Sequence, residues 1–340
     1  MQYQTLSKAV TLGLAIIAGT ATAETFATAE SYMAVRADQA PVLSLTELNS
    51  GLLAVGDRGH ILVQEGDAWR QVMVPTRTLL TAVTHVGERA WAVGHDAVIL
   101  SSDAVTQQWR LRQQLPERDK PLLDVLALSS EHILAVGAYG LMFRSLDGGQ
   151  SWQEEFHDEL LYPEDREYLN ELKEEDPGLY LDERSAILPH FNRIRRLSDE
   201  RLVLMGELGL MALSDNDGRS WYPVESFYDG SLYELVETAA GTWLAAGLRG
   251  HIFRSEDQGE SWQEIDSGVD GTINQGRILT DGRIALVANG GYLLISDDDG
   301  QSFTVTEVAK GQDLVALAQT QDGEVAIAGS DGIRRVQLPR

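Results

Sequence analysis

Apolar and polar positions in this chain alternate over short distances. Runs such as Leu52 to Val55, Ile61 to Gln64, Trp69 to Val74 and Leu79 to Val86 are bounded by Gly, Asp and Ser, which is strand and turn punctuation rather than a helical stripe. The cleanest copy of the pattern is Gly247 to Trp262, GLRGHIFRSEDQGESW. A GxxG turn feeds a strand through Ile252, Phe253 and Arg254, and a second turn, SxDxGxSW, is closed by a tryptophan. There Asp257 can accept backbone N–H groups ahead of it, Gly259 relieves the tight backbone, and Trp262 opens the next strand as a large anchor.

The unit recurs with lead residues Gly56, Gly94, Gly137, Gly206, Gly247, Asn289 and Gly329, at intervals of 38, 43, 69, 41, 42 and 40. Seven copies of an all-strand unit near forty residues predict seven blades of four-stranded sheet around an axis, because one such sheet cannot bury its faces alone. The expected fold is an all-β, seven-bladed β-propeller forming a single domain over 24–340, its strands lettered A to D within each blade. Trp69, Trp109, Trp152, Trp221 and Trp262, with Phe303, fall at the starts of D strands as packing residues. Asp147, Asp257 and Asp298 are expected to cap turns; Asn216 stands where a fourth such aspartate belongs, and the turn around Asp103 lacks its glycine.

The ends and one long interval depart from the period. Residues 1–23 read as a secretory leader: Lys8, an apolar run from Ala9 to Ala18, and Ala21-Thr22-Ala23 as cleavage site. That run is too short for a stable membrane anchor, so the expected product is periplasmic, soluble and monomeric alone. The last repeat shows no D strand, and Ser31 to Arg36 is expected to supply the missing outer strand of blade seven. An insertion at about 157–189 separates blades three and four, with helix-compatible stretches at 164–175 and 179–187 around a Pro177-Gly178 breaker.

Composition narrows the partners. The net charge is −25, or −26 without Lys8, which disfavours nucleic acid and anionic lipid. The absence of cysteine excludes disulfides and thiolate chemistry. From Glu154 to Arg184 there are thirteen acids and three bases. Leu160, Leu161, Tyr162, Tyr168, Leu169, Leu172, Leu179, Tyr180 and Leu181 lie in the same stretch, too apolar for a purely solvating loop.

In a propeller the B-to-C and D-to-A connections share one rim, so the insertion and the GxxG turns face the same way. That rim is the candidate binding surface: Arg58, His60, Tyr139, Arg249 and His251 from the turns, Tyr162 and Tyr168 from the insertion. Arg193, Arg195 and Arg196 form the one basic concentration; strand alternation splits it, and ion pairs to the acidic insertion are an equal reading. No metal site or cofactor is expected: Asp297, Asp298 and Asp299 lack the spacing of a calcium loop, and no P-loop, dinucleotide fingerprint or Ser/His/Asp order is present.

SLDGGQSW, SEDQGESW and SDDDGQSF resemble the BNR or Asp-box repeat, and with GxxG ahead of each box the chain is most similar to the photosystem II stability and assembly factor family, as an exported bacterial member. The resemblance covers nearly all of the expected mature chain. It implies a non-catalytic factor that binds a client in a membrane complex. For relatives in non-photosynthetic bacteria it implies an association with resistance-nodulation-division transporters. The Asp-box itself also raises a sialidase-like glycoside hydrolase, which needs paired carboxylates or a Tyr and Glu pair with an arginine cluster. The third alternative is a propeller that binds sugars or small molecules through exposed rim aromatics, with Tyr139 foremost.

Overall fold

Each lead glycine lies where the B strand leaves its own A strand. A Cβ added at Gly56, Gly94 or Gly247 would sit 2.1 Å from the carbonyl oxygen of Pro41, Leu79 or Ser231. Close backbone approach demands glycine there, since φ at these positions is extended, near −178°, −176° and −168°. The second glycine of the turn is needed for its dihedral angle as well: φ is +73° at Gly59, +70° at Gly209 and +75° at Gly250, a region other L residues avoid.

These turns organise seven antiparallel sheets. The computed structural model describes residues 29–49, 51–320 and 322–338, and the expected leader at 1–23 lies outside them. Blades one to seven span 42–72, 80–113, 122–155, 191–223, 232–265, 273–307 and 314–336, the first six with strands in the order A, B, C, D and the seventh with A, B and C among the described residues. The A strand of every blade packs against those of both neighbours, and blade one meets blade seven, so the ring closes. In every blade the A–B ladder slips register near the start of the A strand, for example between Phe191 and Arg193 and between Leu232 and Glu234. Such bulges re-aim the residues that follow.

The core is a set of layers between adjacent blades. B strands, covered on both faces, are continuously buried, as in Leu52 to Val55 and Ile133 to Val136. Trp91 and Trp243, on B strands, are the largest of the fully buried side chains. Of the D-strand tryptophans, Trp109 and Trp221 are buried and Trp69, Trp152 and Trp262 partly so.

The expected D strand of blade seven is a correction. That blade has three strands among the described residues, and Ser31 to Arg36 lies elsewhere. Ser31 donates its N–H to the Val74 carbonyl at 2.8 Å. The Gln71 side chain takes the Ala34 N–H at 2.8 Å and reaches the Tyr32 carbonyl at 2.7 Å. The segment therefore runs along blade one. Its sequence lacks the alternation a blade strand needs: Tyr32, Met33 and Val35 are exposed. A short turn, Ala37–Gln39, then crosses to blade seven, where a Cβ on Gly332 would meet the Asp38 carbonyl.

Between blades three and four the chain forms helices α1 (Pro163–Glu175) and α2 (Pro177–Arg184). The Pro-Gly pair starts the second helix rather than leading into it: Pro177 occupies the first position, which needs no N–H, and Asp176 caps the N–H groups of Gly178 and Leu179.

Candidate functional site

Residues in the middle of the GxxG turns adopt the left-handed conformation: Arg58, Asp96, Tyr139, Leu208 and Arg249 have φ of 52°, 56°, 54°, 55° and 57°. For a non-glycine residue this costs roughly 1 kcal/mol or more. The conformation turns these side chains outward along one rim. Arg58 is exposed and pairs with Asp57 at 3.3 Å.

The histidines that follow behave differently. His60 is buried, with neither ring nitrogen hydrogen-bonded; burial, opposed by Asp57 and aided by Arg58, lowers its pKa. The structure thus removes His60 from the accessible rim. His251 is half-buried, 2.5 Å from Glu264, and packs beside Tyr228. Sequence symmetry does not extend to equivalent surroundings.

The insertion converges on the turns of blades three and four. Gly140 donates its N–H to the Pro189 carbonyl at 2.9 Å, and a Cβ there would overlap Leu188. Tyr139, 45% exposed, meets His190 edge to face at 4.5 Å, with the Lys120 ammonium 5.3 Å from its ring. His190 Nδ1 is 3.3 Å from Glu207 in the next blade's turn. Leu160, Leu161, Leu169 and Leu188 from the insertion complete the core layer between blades three and four, together with Phe191 and Trp221. Tyr162 and Tyr168 remain exposed, at 68% and 42%.

The root of the insertion reaches lower. His157 is buried, with Nδ1 2.9 Å from Glu159 and Nε2 3.5 Å from Glu155. Glu159 also accepts the Trp221 N–H at 3.1 Å, at the end of the blade-four box. Burial opposes a charge on His157, but the two carboxylates outweigh it and raise its pKa. Burial likewise works against Glu155, yet His157 and a two-pronged bond from Arg144 hold its carboxyl down at about 2.

A groove of about 510 Å³ opens between this root and blade four. Leu160, Leu161, Ile187, Leu208, Leu210 and Val224 line it, and Glu159, Asp165 and Glu207 stand on its walls. Leu208 is 68% exposed. The sequence points to Tyr139 on this rim and not to Leu208, although a large apolar residue inside a GxxG turn is a visible signal.

The arginines lie on the blade-four A strand, which faces the central axis. Arg195 bonds Asp124 at 3.1 Å and Glu234 at 2.9 and 3.0 Å, on the A strands of blades three and five. Arg193 donates to the carbonyls of Tyr233 and Asn274, both at 2.9 Å. Arg196 points away and pairs with Glu200. The cluster is split, and its carboxylate partners lie on neighbouring blades or, for Arg196, in blade four itself rather than in the insertion. Burial disfavours a charge on Arg195, but Glu234 and Asp124 raise its pKa further.

The box turns are closed structural units. Ser255 Oγ donates to Asp257 Oδ1 and accepts the Gly259 N–H, each at 2.8 Å, while Asp257 accepts the Ser261 N–H and hydroxyl at 2.9 and 2.6 Å. Asp147 and Asp298 repeat this arrangement, and Asn216 mimics it, its amide donating to Ser220. Burial works against the carboxyls of Asp147 and Asp298, yet the serine hydrogen bonds hold their pKa, like that of Asp257, down at about 2. No group of three or more potential metal ligands occurs among the described residues.

Fold and site together define an Asp-box seven-bladed β-propeller whose one helical insertion is docked on the GxxG rim. The model of the Photosynthesis system II assembly factor YCF48 family matches residues 45–336, and the chain belongs to that family. Its fold is similar to that of YCF48 bound to D1 peptide, at 17% identity and TM-score 0.66, covering 88% of this chain and 95% of that one. YCF48 from Cyanidioschyzon merolae is similar at 14% and 0.65, over 87% and 95%. The WD40 β-propeller domain of Doa1 follows at 11% and 0.63, over 91% and 95%. A comparison with curated proteins finds no match.

Proposed function

We propose that the protein is a non-catalytic, exported periplasmic scaffold that binds another protein through its insertion-bearing rim. Its role is that of an accessory or assembly factor for a membrane complex, of the resistance-nodulation-division transporter type. Membership of the YCF48 family supports the assembly role, and the similar YCF48 structure was solved with a peptide bound. The observation that carries the choice of surface is the convergence of Tyr139, Tyr162 and Leu208, all exposed, around a docked insertion on blades three and four. Loops on a rigid scaffold are where binding residues concentrate.

The glycoside hydrolase reading meets a specific obstacle. Arginines do converge with Glu234 near the axis, but their donors are already taken by Asp124, Glu234 and backbone carbonyls, leaving the arrangement poorly suited to a substrate carboxylate.

The test is recovery of partners from membranes by the intact protein and by a form with 162–186 replaced by a short Gly/Ser linker, which keeps Leu160, Leu161 and Leu188 in the core. Loss of the main partner from the second form supports the reading. Equal recovery removes the insertion from it, and turnover of fluorogenic glycosides abolished by Glu234→Gln would replace it with an enzyme.

A further inference from the structure

Leu208 is the least expected residue on this rim. It holds a left-handed backbone at φ 55° and exposes 68% of its surface, so it accepts strain and gains little burial in return. At the same turn position other blades carry Arg58, Asp96, Tyr139 and Arg249, which are polar or, for Tyr139, packed against His190. Strain retained without an internal return points to an external contact.

The surroundings specify what that contact would be. Leu208 lines the groove together with Tyr162, also 68% exposed. Much of its lining is aliphatic, including Leu160, Leu161, Ile187 and Val224. A groove of about 510 Å³ takes one or two bulky side chains of a segment rather than a folded domain. Its polar edge is acidic. Glu159, Asp165 and Glu207 are among its lining residues, and the one basic lining residue, Arg166, already donates its Nε–H to the Asp158 carbonyl. The α1 helix, whose Pro163, Asp165 and Arg166 line the groove, also carries Glu164, Glu167, Glu171, Glu174 and Glu175.

We propose that this groove receives a segment of the partner carrying a bulky aliphatic or aromatic residue flanked by Lys or Arg. The inference rests on the rim being the binding surface and names the chemistry that the rim selects. The apolar anchor is desolvated between Leu208 and Tyr162 and supplies most of the affinity, as buried anchors do at interfaces. The flanking cations meet the acidic walls and govern the association rate and its salt dependence.

A random peptide library displayed on phage and panned against the intact protein tests this, with enriched peptides measured by fluorescence anisotropy. The expected consensus is an apolar residue between Lys or Arg, weakened at least tenfold by Leu208→Gly and severalfold by raising NaCl from about 0.05 to 0.5 M. Leu208→Gly relieves the left-handed strain, so its melting temperature should equal or exceed that of the native protein, and lost binding cannot be blamed on misfolding. Enrichment of acidic or purely polar peptides, binding indifferent to Leu208→Gly, or no enrichment at all would overturn the proposal. The two readings fail separately: if replacing 162–186 abolishes partner recovery while Leu208→Gly leaves it intact, the rim stands and the groove falls.

Discussion

His157 Nδ1 sits 2.9 Å from Glu159 Oε1, and the same oxygen accepts the Trp221 N–H. The pair ties the root of the insertion to blade four through one titratable ring. Because the folded pKa of His157 is raised above 6.5, its contribution is complete below that value and is lost as pH rises through the higher one. His60 has the opposite sign: its lowered pKa gives stability present above 6.5 and lost as pH falls. Thermal midpoints between about pH 5 and 9 should therefore fall toward alkaline pH in a component that His157→Asn removes. An unchanged pH profile in that variant would show the ring to be uncoupled from stability.

Glu234 is 1% exposed and bonds Arg195 twice. Glu234→Ala should cost about 3 kcal/mol, since it leaves Arg195 with one carboxylate partner fewer near the axis. Urea denaturation would show this as a lower midpoint with an unchanged slope.

Ser255 is buried and serves as donor to Asp257 and acceptor from Gly259 at once. Ser255→Ala leaves the buried Gly259 N–H without its acceptor and removes one of the donors to Asp257, with an expected loss of about 1–2 kcal/mol. Ser151→Ala, at an exposed site in the blade-three box, should cost less in the same melting experiment.

The Gln71 side chain clasps two backbone groups of the N-terminal segment. Gln71→Ala should speed amide exchange at Ser31 and Ala34 while leaving blade seven unaffected. Faster exchange along Gly332–Val336 instead would mean that the segment does secure blade seven.

Much of the fold could be read from the repeats. The GxxG and SxDxGxSW turns recur because backbone crowding and turn hydrogen bonding impose the same demands in each blade, and the interval of 69 marks the insertion. Asn289 could break the lead-glycine rule because in blade six it is Gly271 that yields, a Cβ there lying 2.2 Å from the Asn289 carbonyl. Less was legible where tertiary context decides. Arg58-Gly59-His60 and Arg249-Gly250-His251 are alike in sequence, yet one histidine is buried without a partner and the other pairs with Glu264. Tyr32 and Val35 suggested a strand, but a segment with both exposed has no alternating face to bury. The groove was invisible because its walls come from residues nearly seventy positions apart, Glu159 to Ser226.

Hydrogen exchange on the complex with a partner recovered from membranes reports directly on where that partner sits. Protection should appear at 158–188, at 207–210 and around Tyr139, leaving the box turns at 145–152 and 255–262 unchanged. Protection confined to those box turns, with the insertion exchanging as in the free protein, would place the binding surface on the opposite rim.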